Sequence, residues 1–223
     1  MKKACQIRVS GPDATRFLNG QVTNDVTLAT AEASLPACLL NAKGGLEQFV
    51  QIRRENGAYL LQAAPEEEEH LLSRLDKYLI ADDVTLNVEG IVTSWDQATE
   101  QERIIRGQPG WPQELFPGLL PAEAGLDVTA VSFSKGCYTG QEVVSRMKRA
   151  GKTNRHLVHL TLSSAEVFPG AELQHDGQKA GFLTSVTRDP EGQVIALGYR
   201  LRKFAHLDQF SIAGSGATAT IRS

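Results

Sequence analysis

Apolar and polar positions alternate with period two in several short stretches of this chain and with a helical period in a few others. Ile7-Arg8-Val9 reads as a short strand. Ser10-Gly11-Pro12-Asp13 then reads as a helix start with Ser10 as cap, and Ala14, Phe17 and Leu18 give that helix an apolar face before Gly20. Leu35 to Asn41 predicts a strand, Ala42-Lys43-Gly44-Gly45 a turn, and Leu46, Phe49, Val50 and Ile52 the return strand. Asn56-Gly57 is a hairpin-turn signal ahead of Tyr59-Leu60-Leu61. Together these predict a three-stranded antiparallel meander. Pro65 to Leu79 predicts a helix with acids in its first turn and Leu71, Leu72, Leu75 and Leu79 on one face. Val84, Leu86 and Val88 alternate as a further strand. From Trp95 to Pro121 the pattern is broken by Gly107, Pro109, Gly110, Pro112, Pro117 and Gly118, which predicts connecting loops.

After Gly151 the rhythm changes to short strands at close spacing. Leu157 to Leu162 and Val194 to Leu201 read as strands, with turns at Asp176-Gly177 and Pro190-Glu191-Gly192. Such spacing predicts a small antiparallel barrel. The expected division is an α+β domain over residues 1–151 and a C-terminal β-barrel domain over residues 152–223.

Composition narrows the class without naming a function. The 223 residues are 41% hydrophobic and 22% charged, ordinary for a globular protein. A net charge of -3 does not announce a nucleic-acid binder, so any anion site must come from local clustering. Apolar runs fall far short of a membrane span, and Met1-Lys2-Lys3 is not followed by the apolar core of a secretory signal, so no membrane association is expected. Cys5, Cys38 and Cys137 form neither a CxxC pair nor a disulfide framework, which suits a reducing, cytoplasmic setting. His70, His156, His159, His175 and His206 show no metal-ligand spacing, so no metal site is expected.

The candidate chemistry concentrates in Lys135-Gly136-Cys137-Tyr138-Thr139-Gly140-Gln141-Glu142. Thr139 and Glu142 read as a capping box, with Thr139 as N-cap, Gly140 as the first helical residue and Gly151 as the stop. Cys137 is then expected beside the positive end of a helix dipole, with Lys135 close by. Both favour a thiolate, the reactive form. A small cysteine buried under a helix start is the competing reading. Lys135 is either a thiolate partner or an ordinary surface lysine. Gly136 and Gly140 permit close backbone approach, Tyr138 can stack or hydrogen-bond, and Glu142 can pair with Arg146 along the helix. Arg146, Lys148, Arg149, Lys152 and Arg155 form the dense basic cluster of the chain, suited to a glutamate tail, RNA phosphates or an acidic partner, or else a solvated helix face. Without interleaved aromatics, direct RNA binding is not expected.

This octapeptide resembles the signature of the YgfZ-like folate-binding proteins, relatives of the glycine-cleavage T-protein, a tetrahydrofolate-dependent aminomethyltransferase. The resemblance extends to Ser10-Gly11-Pro12-Asp13-Ala14, to Phe17 through Asp25, to Asn41-Ala42-Lys43-Gly44 and to Gly125-Leu126-Asp127. It also takes in Arg155-His156-Leu157, Gly170, Gly181 through Ser185, and Ala196-Leu197-Gly198-Tyr199. It implies a folate-binding aminomethyltransferase-like domain with antiparallel sheets, followed by the barrel.

The resemblance implies a folate-dependent accessory protein for assembly or repair of iron–sulfur clusters in a subset of enzymes, indirectly affecting tRNA modification. Implied partners are tetrahydrofolate or another folate, and iron–sulfur enzymes or cluster carriers. The implied chemical residues are Cys137 and Lys135, and the implied ligand residues are Asn24, Asp25, Tyr138, Gln141 and Arg146. Turn chemistry is the alternative for Asn24 and Asp25. The transferases carry acids just after the Gly-Gly of the first hairpin, where this chain has Gln48 and Phe49. Glu47 is offset by one residue, which on a regular strand points it to the opposite face. A one-carbon transferase, a non-catalytic folate-binding scaffold and a Cys137–His156 hydrolase are the alternatives.

Overall fold

The computed structural model describes residues 1–222. The chain forms two compact units. One comprises Met1–Gln97, Phe116–Pro121 and Leu126–Ala150; the other comprises Ala98–Leu115, Ala122–Gly125 and the chain from Gly151 onward.

The first unit is built on β1 (Lys3–Ser10), α1 (Ala14–Gln21), β2 (Leu35–Leu40), β3 (Leu46–Glu55), β4 (Ala58–Ala63), α2 (Glu68–Asp76) and β5 (Thr85–Thr93). The strands make an antiparallel sheet in the order β2-β3-β4-β1-β5. The predicted meander is present, and Asn56 and Gly57 both take positive φ at its second turn, as the two-residue hairpin demands. Side chains alternate across the sheet. Ile7, Val9, Val50, Ile52, Tyr59 and Leu61 point to one face and bury against Phe17 and Leu18 of α1 and Leu71 and Leu75 of α2. Burying each large aliphatic side chain contributes about 1.5–3 kcal/mol.

Two local expectations for this unit need correction. Helix α1 starts at Ala14 with Asp13, not Ser10, at its cap. The Asp13 carboxylate instead accepts from the Asp83 N–H at 2.9 Å, tying the helix start to the segment before β5. The Pro65–Leu79 helix is a 3-10 turn over Pro65–Glu67 followed by α2.

The second unit begins with α3 (Glu100–Ile105), inside the stretch expected to be loops. A capping box closes its start: Thr99 Oγ1 accepts from the Glu102 N–H, and the Glu102 carboxylate accepts from the Thr99 N–H. Helix α4 (Leu126–Thr129) and helix α5 (Gln141–Ala150) return the chain to the first unit. The barrel then follows as β6 (Arg155–Leu162), β7 (Glu172–His175), β8 (Gln178–Arg188), β9 (Val194–Leu201), β10 (Gln209–Ile212) and β11 (Thr218–Ile221). It closes in the order β10-β11-β6-β9-β8-β7, with Leu160, Leu173, Leu183, Ala196 and Phe210 in its core.

Strand β9 is buried on both faces. Val194 and Ala196 enter the barrel core, while Ile195 and Leu197 pack on Ile104 of α3. Beneath α3 lies a buried ion pair. Arg103 Nη1 meets Glu114 Oε2 at 2.6 Å, Ser185 Oγ donates to Glu114 Oε1 at 2.7 Å, and the Gly110 N–H donates to Oε2 at 2.9 Å. Glu114 is fully buried, so each of these partners offsets the desolvation of its charge.

Among the described residues, no helix is long and apolar enough to cross a membrane.

Candidate functional site

The octapeptide lies on the first unit and is sewn onto α1 and the connection to β2. The Ser132 N–H donates to Thr23 O at 2.9 Å, and the Thr139 N–H donates to Gly20 O at 3.2 Å. Thr23 Oγ1 donates to Ala130 O and accepts from the Cys38 N–H. The octapeptide also meets the first hairpin. Gly140 has φ +84°, and a Cβ there would stand 2.7 Å from Asn41 O. At Gly44 a Cβ would stand 2.8 Å from the Val143 Cβ. Approach this close, to backbone at Gly140 and to the Val143 side chain at Gly44, together with positive φ at both, favours glycine at each position. Gly136 has open space around it, so close approach explains Gly140 and not Gly136.

The helix start differs from the expected capping box. Gly140 is left-handed and lies outside the helix; its carbonyl accepts the Val144 N–H at 3.3 Å, so α5 begins at Gln141. The predicted stop is present, since Gly151 takes φ +60° directly after Ala150. Glu142 and Arg146 make no ion pair among the described residues, and both are exposed.

Cys137 is exposed, whereas Cys5 and Cys38 are buried. Burial pushes the Cys38 thiol up to about 12 and raises Cys5 as well, leaving both as packing groups. Of the three cysteines, Cys137 is the one solvent reaches. The competing reading of a small buried cysteine therefore fits Cys5 and Cys38 and not Cys137.

Lys135 does not spend its protons on Cys137. Its Nζ donates to Asn19 O at 2.8 Å, Val22 O at 2.7 Å and Asn24 O at 2.8 Å. An ammonium has three donors, and all three are taken. Lys135 therefore ties the loop that bears Cys137 to these carbonyls and makes no hydrogen bond to the thiol. Asn19 belongs to the last turn of α1 and Val22 is its C-cap, so the cation also sits at the negative end of that helix, worth about 0.3–1 kcal/mol. Burial pushes the Lys135 amine down to about 8, with the Asp25 charge acting the other way. At neutral pH it remains an ammonium.

Tyr138 is buried, its ring 5.3 Å below the Lys135 Nζ. Burial pushes its hydroxyl up to about 12, with Cys38 adding to the shift, and that hydroxyl has no hydrogen-bond partner among the described residues. Asn24 and Asp25 have the turn chemistry that was the alternative to ligand binding. Asn24 Nδ2 donates to Pro36 O and Thr129 O, while Oδ1 accepts from the Asp25 N–H. Asp25 Oδ1 accepts from the Thr27 N–H and hydroxyl, capping a 3-10 turn over Val26–Leu28. Gln141 is half-buried at the start of α5 and Arg146 exposed along it.

Two features of this region escaped the sequence reading. The first is the carbonyl cage around Lys135. Its acceptors lie more than 100 residues away in the chain, and backbone oxygens leave no mark in a sequence. The second is a bulge where β3 leaves the hairpin: Leu39 pairs with Gln48 and Leu40 with Leu46, so Glu47 is extra. The bulge undoes the expected one-residue flip. Glu47 reaches Arg74 of α2 at 2.6 Å, and Gln48 donates to Glu67 just before α2 at 2.5 Å, so both point to the helix-covered face. Arg74 is buried and also meets Gln21 Oε1 and Leu40 O, which holds the Glu47 carboxylate in a structural pair.

No protein-family model matches the chain. A chloroplastic protein of Arabidopsis thaliana named as a transferase is 33% identical over 138 residues, which cover 61% of this chain and 32% of that protein. The tRNA-modifying protein YgfZ of Klebsiella pneumoniae is 24% identical over 260 aligned residues, covering 84% of this chain and 80% of its own. A mitochondrial iron–sulfur cluster assembly factor, the IBA57 homologue of Pyricularia oryzae, is 24% identical, covering 79% of this chain and 60% of its own. The chain thus spans about a third of the first relative and 60% of the last. Among solved structures, the glycine cleavage system aminomethyltransferase T from Bartonella henselae superposes with a TM-score of 0.84 at 14% identity, over 99% of this chain and 83% of that one. The fold is that of the glycine-cleavage aminomethyltransferase, and over most of its length the chain is similar to YgfZ and IBA57 proteins.

Proposed function

We propose that this protein is a folate-dependent accessory factor for assembly or repair of iron–sulfur clusters in a subset of enzymes, acting through the Cys137 thiol, with an indirect effect on tRNA modification. The observation that carries this reading is a solvent-exposed thiol on a loop anchored on both sides, by Lys135 and by Tyr138, in a chain whose other two cysteines are buried. The names of the YgfZ and IBA57 relatives support the pathway. Clusters are generally held by about four thiolates. One thiol supplies one ligand, so the cluster is cargo, and its remaining ligands come from the client enzyme or the carrier. A reducing compartment such as the cytoplasm keeps the thiol available.

A folate fits part of the expected residue set. The Tyr138 hydroxyl is buried and unpartnered, and neither the Gln141 amide nor the Arg146 guanidinium is engaged within the described chain. These three retain polar atoms for a ligand: a phenol hydroxyl that donates or accepts, an amide that does both, and a guanidinium for a carboxylate. Asn24 and Asp25 hold the chain and are assigned that task. When bound, the folate supplies one-carbon or redox chemistry; the chain's part is to bind it and hold Cys137 in place.

Client enzymes have a docking surface in α5. Arg146, Lys148 and Arg149 are exposed there, as is Lys152 after it, and none makes an ion pair among the described residues. Lys148 lies over the Phe133 ring at 3.4 Å. An unpaired cluster on a chain of net charge -3 suits an acidic protein surface near Cys137.

Titration with tetrahydrofolate tests the ligand. Saturable binding that also slows alkylation of Cys137 is expected, and loss of the effect in Tyr138→Phe is expected to follow. No saturable binding would remove folate from the proposal. The second reading is a one-carbon transferase, which the name of the chloroplastic relative favours. Against it, Gln48 and Phe49 stand at the acidic positions and Glu47 is held by Arg74. Formation of methylene-tetrahydrofolate from an aminomethyl donor would reverse the choice.

A further inference from the structure

The cage around Lys135 has the form of a cation site. Three carbonyl oxygens, from Asn19, Val22 and Asn24, converge on Nζ at 2.7–2.8 Å. The first of these carbonyls belongs to the last turn of α1, where no further helical N–H follows to take it up, and Val22 is the C-cap. The Tyr138 ring lies 5.3 Å from the same nitrogen, and the Asp25 carboxylate adds negative charge nearby. Oxygen acceptors, an aromatic face and a helix C-terminus are each favourable to a cation. The cation they hold is delivered by the segment that also carries Cys137, two residues on. Thr139, two residues beyond the thiol, donates to the neighbouring Gly20 carbonyl, so the loop is pinned at both ends to the same helix terminus.

We propose that Lys135 is a positioning residue, a built-in ammonium that plugs a three-carbonyl cation site at the end of α1 and thereby fixes the loop bearing Cys137, and that the site takes a small primary alkylammonium ion once the side chain is removed. The inference uses Cys137 as the reporter thiol of the proposed function but requires neither folate nor a client. Failure of either of those leaves it standing, and its own failure leaves them standing.

The ligand class follows from the geometry. Three convergent acceptors match the three N–H groups of a primary ammonium. They do not match a quaternary ammonium, which has no N–H, or the planar guanidinium of arginine, whose donors diverge. Removing Lys135 beyond Cβ leaves room for propylammonium, which has the same atoms as the missing stem and head.

The test uses the full chain carrying Lys135→Ala, at pH 7 where the native lysine is charged. Amide hydrogen exchange of residues 132–141 is measured with propylammonium chloride or tetramethylammonium chloride at equal ionic strength, alongside iodoacetamide alkylation of Cys137. Without an amine, exchange at Thr139 is expected to quicken at least tenfold, and the alkylation rate to depart at least threefold from wild type. Propylammonium is expected to bring both back to within about twofold of wild type, saturably, and tetramethylammonium to leave them unchanged. Leu75→Ala, which weakens the same unit away from this loop, is expected to show no difference between the two salts. Equal effects of the two salts on Lys135→Ala, or exchange and alkylation that stay at wild-type rates in that variant, would overturn the proposal. Should the variant emerge unfolded, dilution from urea into each salt makes the same comparison. Folding in propylammonium alone supports the site, and folding in both or in neither overturns it.

Discussion

At the scale of single residues, what distinguishes Cys137 from Cys5 and Cys38 is access to solvent. All three are thiols in one chain, yet burial lifts two of them out of the reactive range. Under native conditions, iodoacetamide is therefore expected to add one carbamidomethyl group, on Cys137, with Cys5 and Cys38 reacting after unfolding; peptide mass spectrometry reads the sites directly. Because Cys137 is exposed, Cys137→Ser is expected to change stability by no more than about 0.5 kcal/mol. Asp25 provides a residue-scale test of the turn that its carboxylate caps. The Thr27 hydroxyl and N–H hold its carboxyl below the usual carboxylate range. A folded-state value below the unfolded one gives stability that is present above the unfolded value, near pH 4, and lost as pH falls through the folded one. Asp25→Ala is expected to cost about 0.5–2 kcal/mol at pH 7, as a cap does, with the difference from wild type closing in acid. A pH-independent difference in urea-unfolding curves would show that the carboxylate is not what holds this turn.

At the scale of elements, the legible parts of the fold were those with local chemical punctuation. Asn56-Gly57 announced its hairpin, and Gly151 announced the end of α5. The start of α5 was misplaced because Thr139 and Glu142 have capping-box spacing, while the close packing of Gly140 on Asn41 forces a left-handed residue between them. That contact joins residues a hundred positions apart and has no local signal. Helix α3 was missed for a similar reason. The glycines and prolines after it dominated the pattern, although Thr99 and Glu102 did carry the capping-box signal. Its hold on the barrel is the buried Arg103–Glu114 pair. Glu114→Ala removes the fully buried one of the two carboxylates that Arg103 holds, Glu100 being the other, and leaves the Ser185 hydroxyl without its acceptor; it is expected to cost about 3–5 kcal/mol, while Arg103→Met with Glu114→Leu together is expected to cost less than Glu114→Ala alone. Urea midpoints of the three proteins check this ordering. The β3 bulge likewise could not be read from alternation, since a single extra residue at Glu47 reverses which side chains share a face.

At the scale of the whole molecule, the fold and the site carry different information. The chain shares the fold of a glycine cleavage aminomethyltransferase at a TM-score of 0.84 with 14% identity. The resemblance sets Gln48 and Phe49 where the transferases carry their hairpin acids, and the neighbouring Glu47 is tied to Arg74. What the fold presents instead is one accessible thiol on an anchored loop, followed by a helix with unpaired cations. The thiol and the motif around it were visible in the sequence; the structure added the exposure of Cys137 and showed that Lys135 anchors the loop. On the proposed reading, the chain as a whole presents this thiol to another protein. The most direct test is complementation in cells lacking their own copy, reading the activity of a cluster-dependent tRNA-modifying enzyme. Wild type is expected to restore that activity, and Cys137→Ala, at equal abundance and equal melting temperature, is expected to fail. Full restoration by Cys137→Ala would contradict the account.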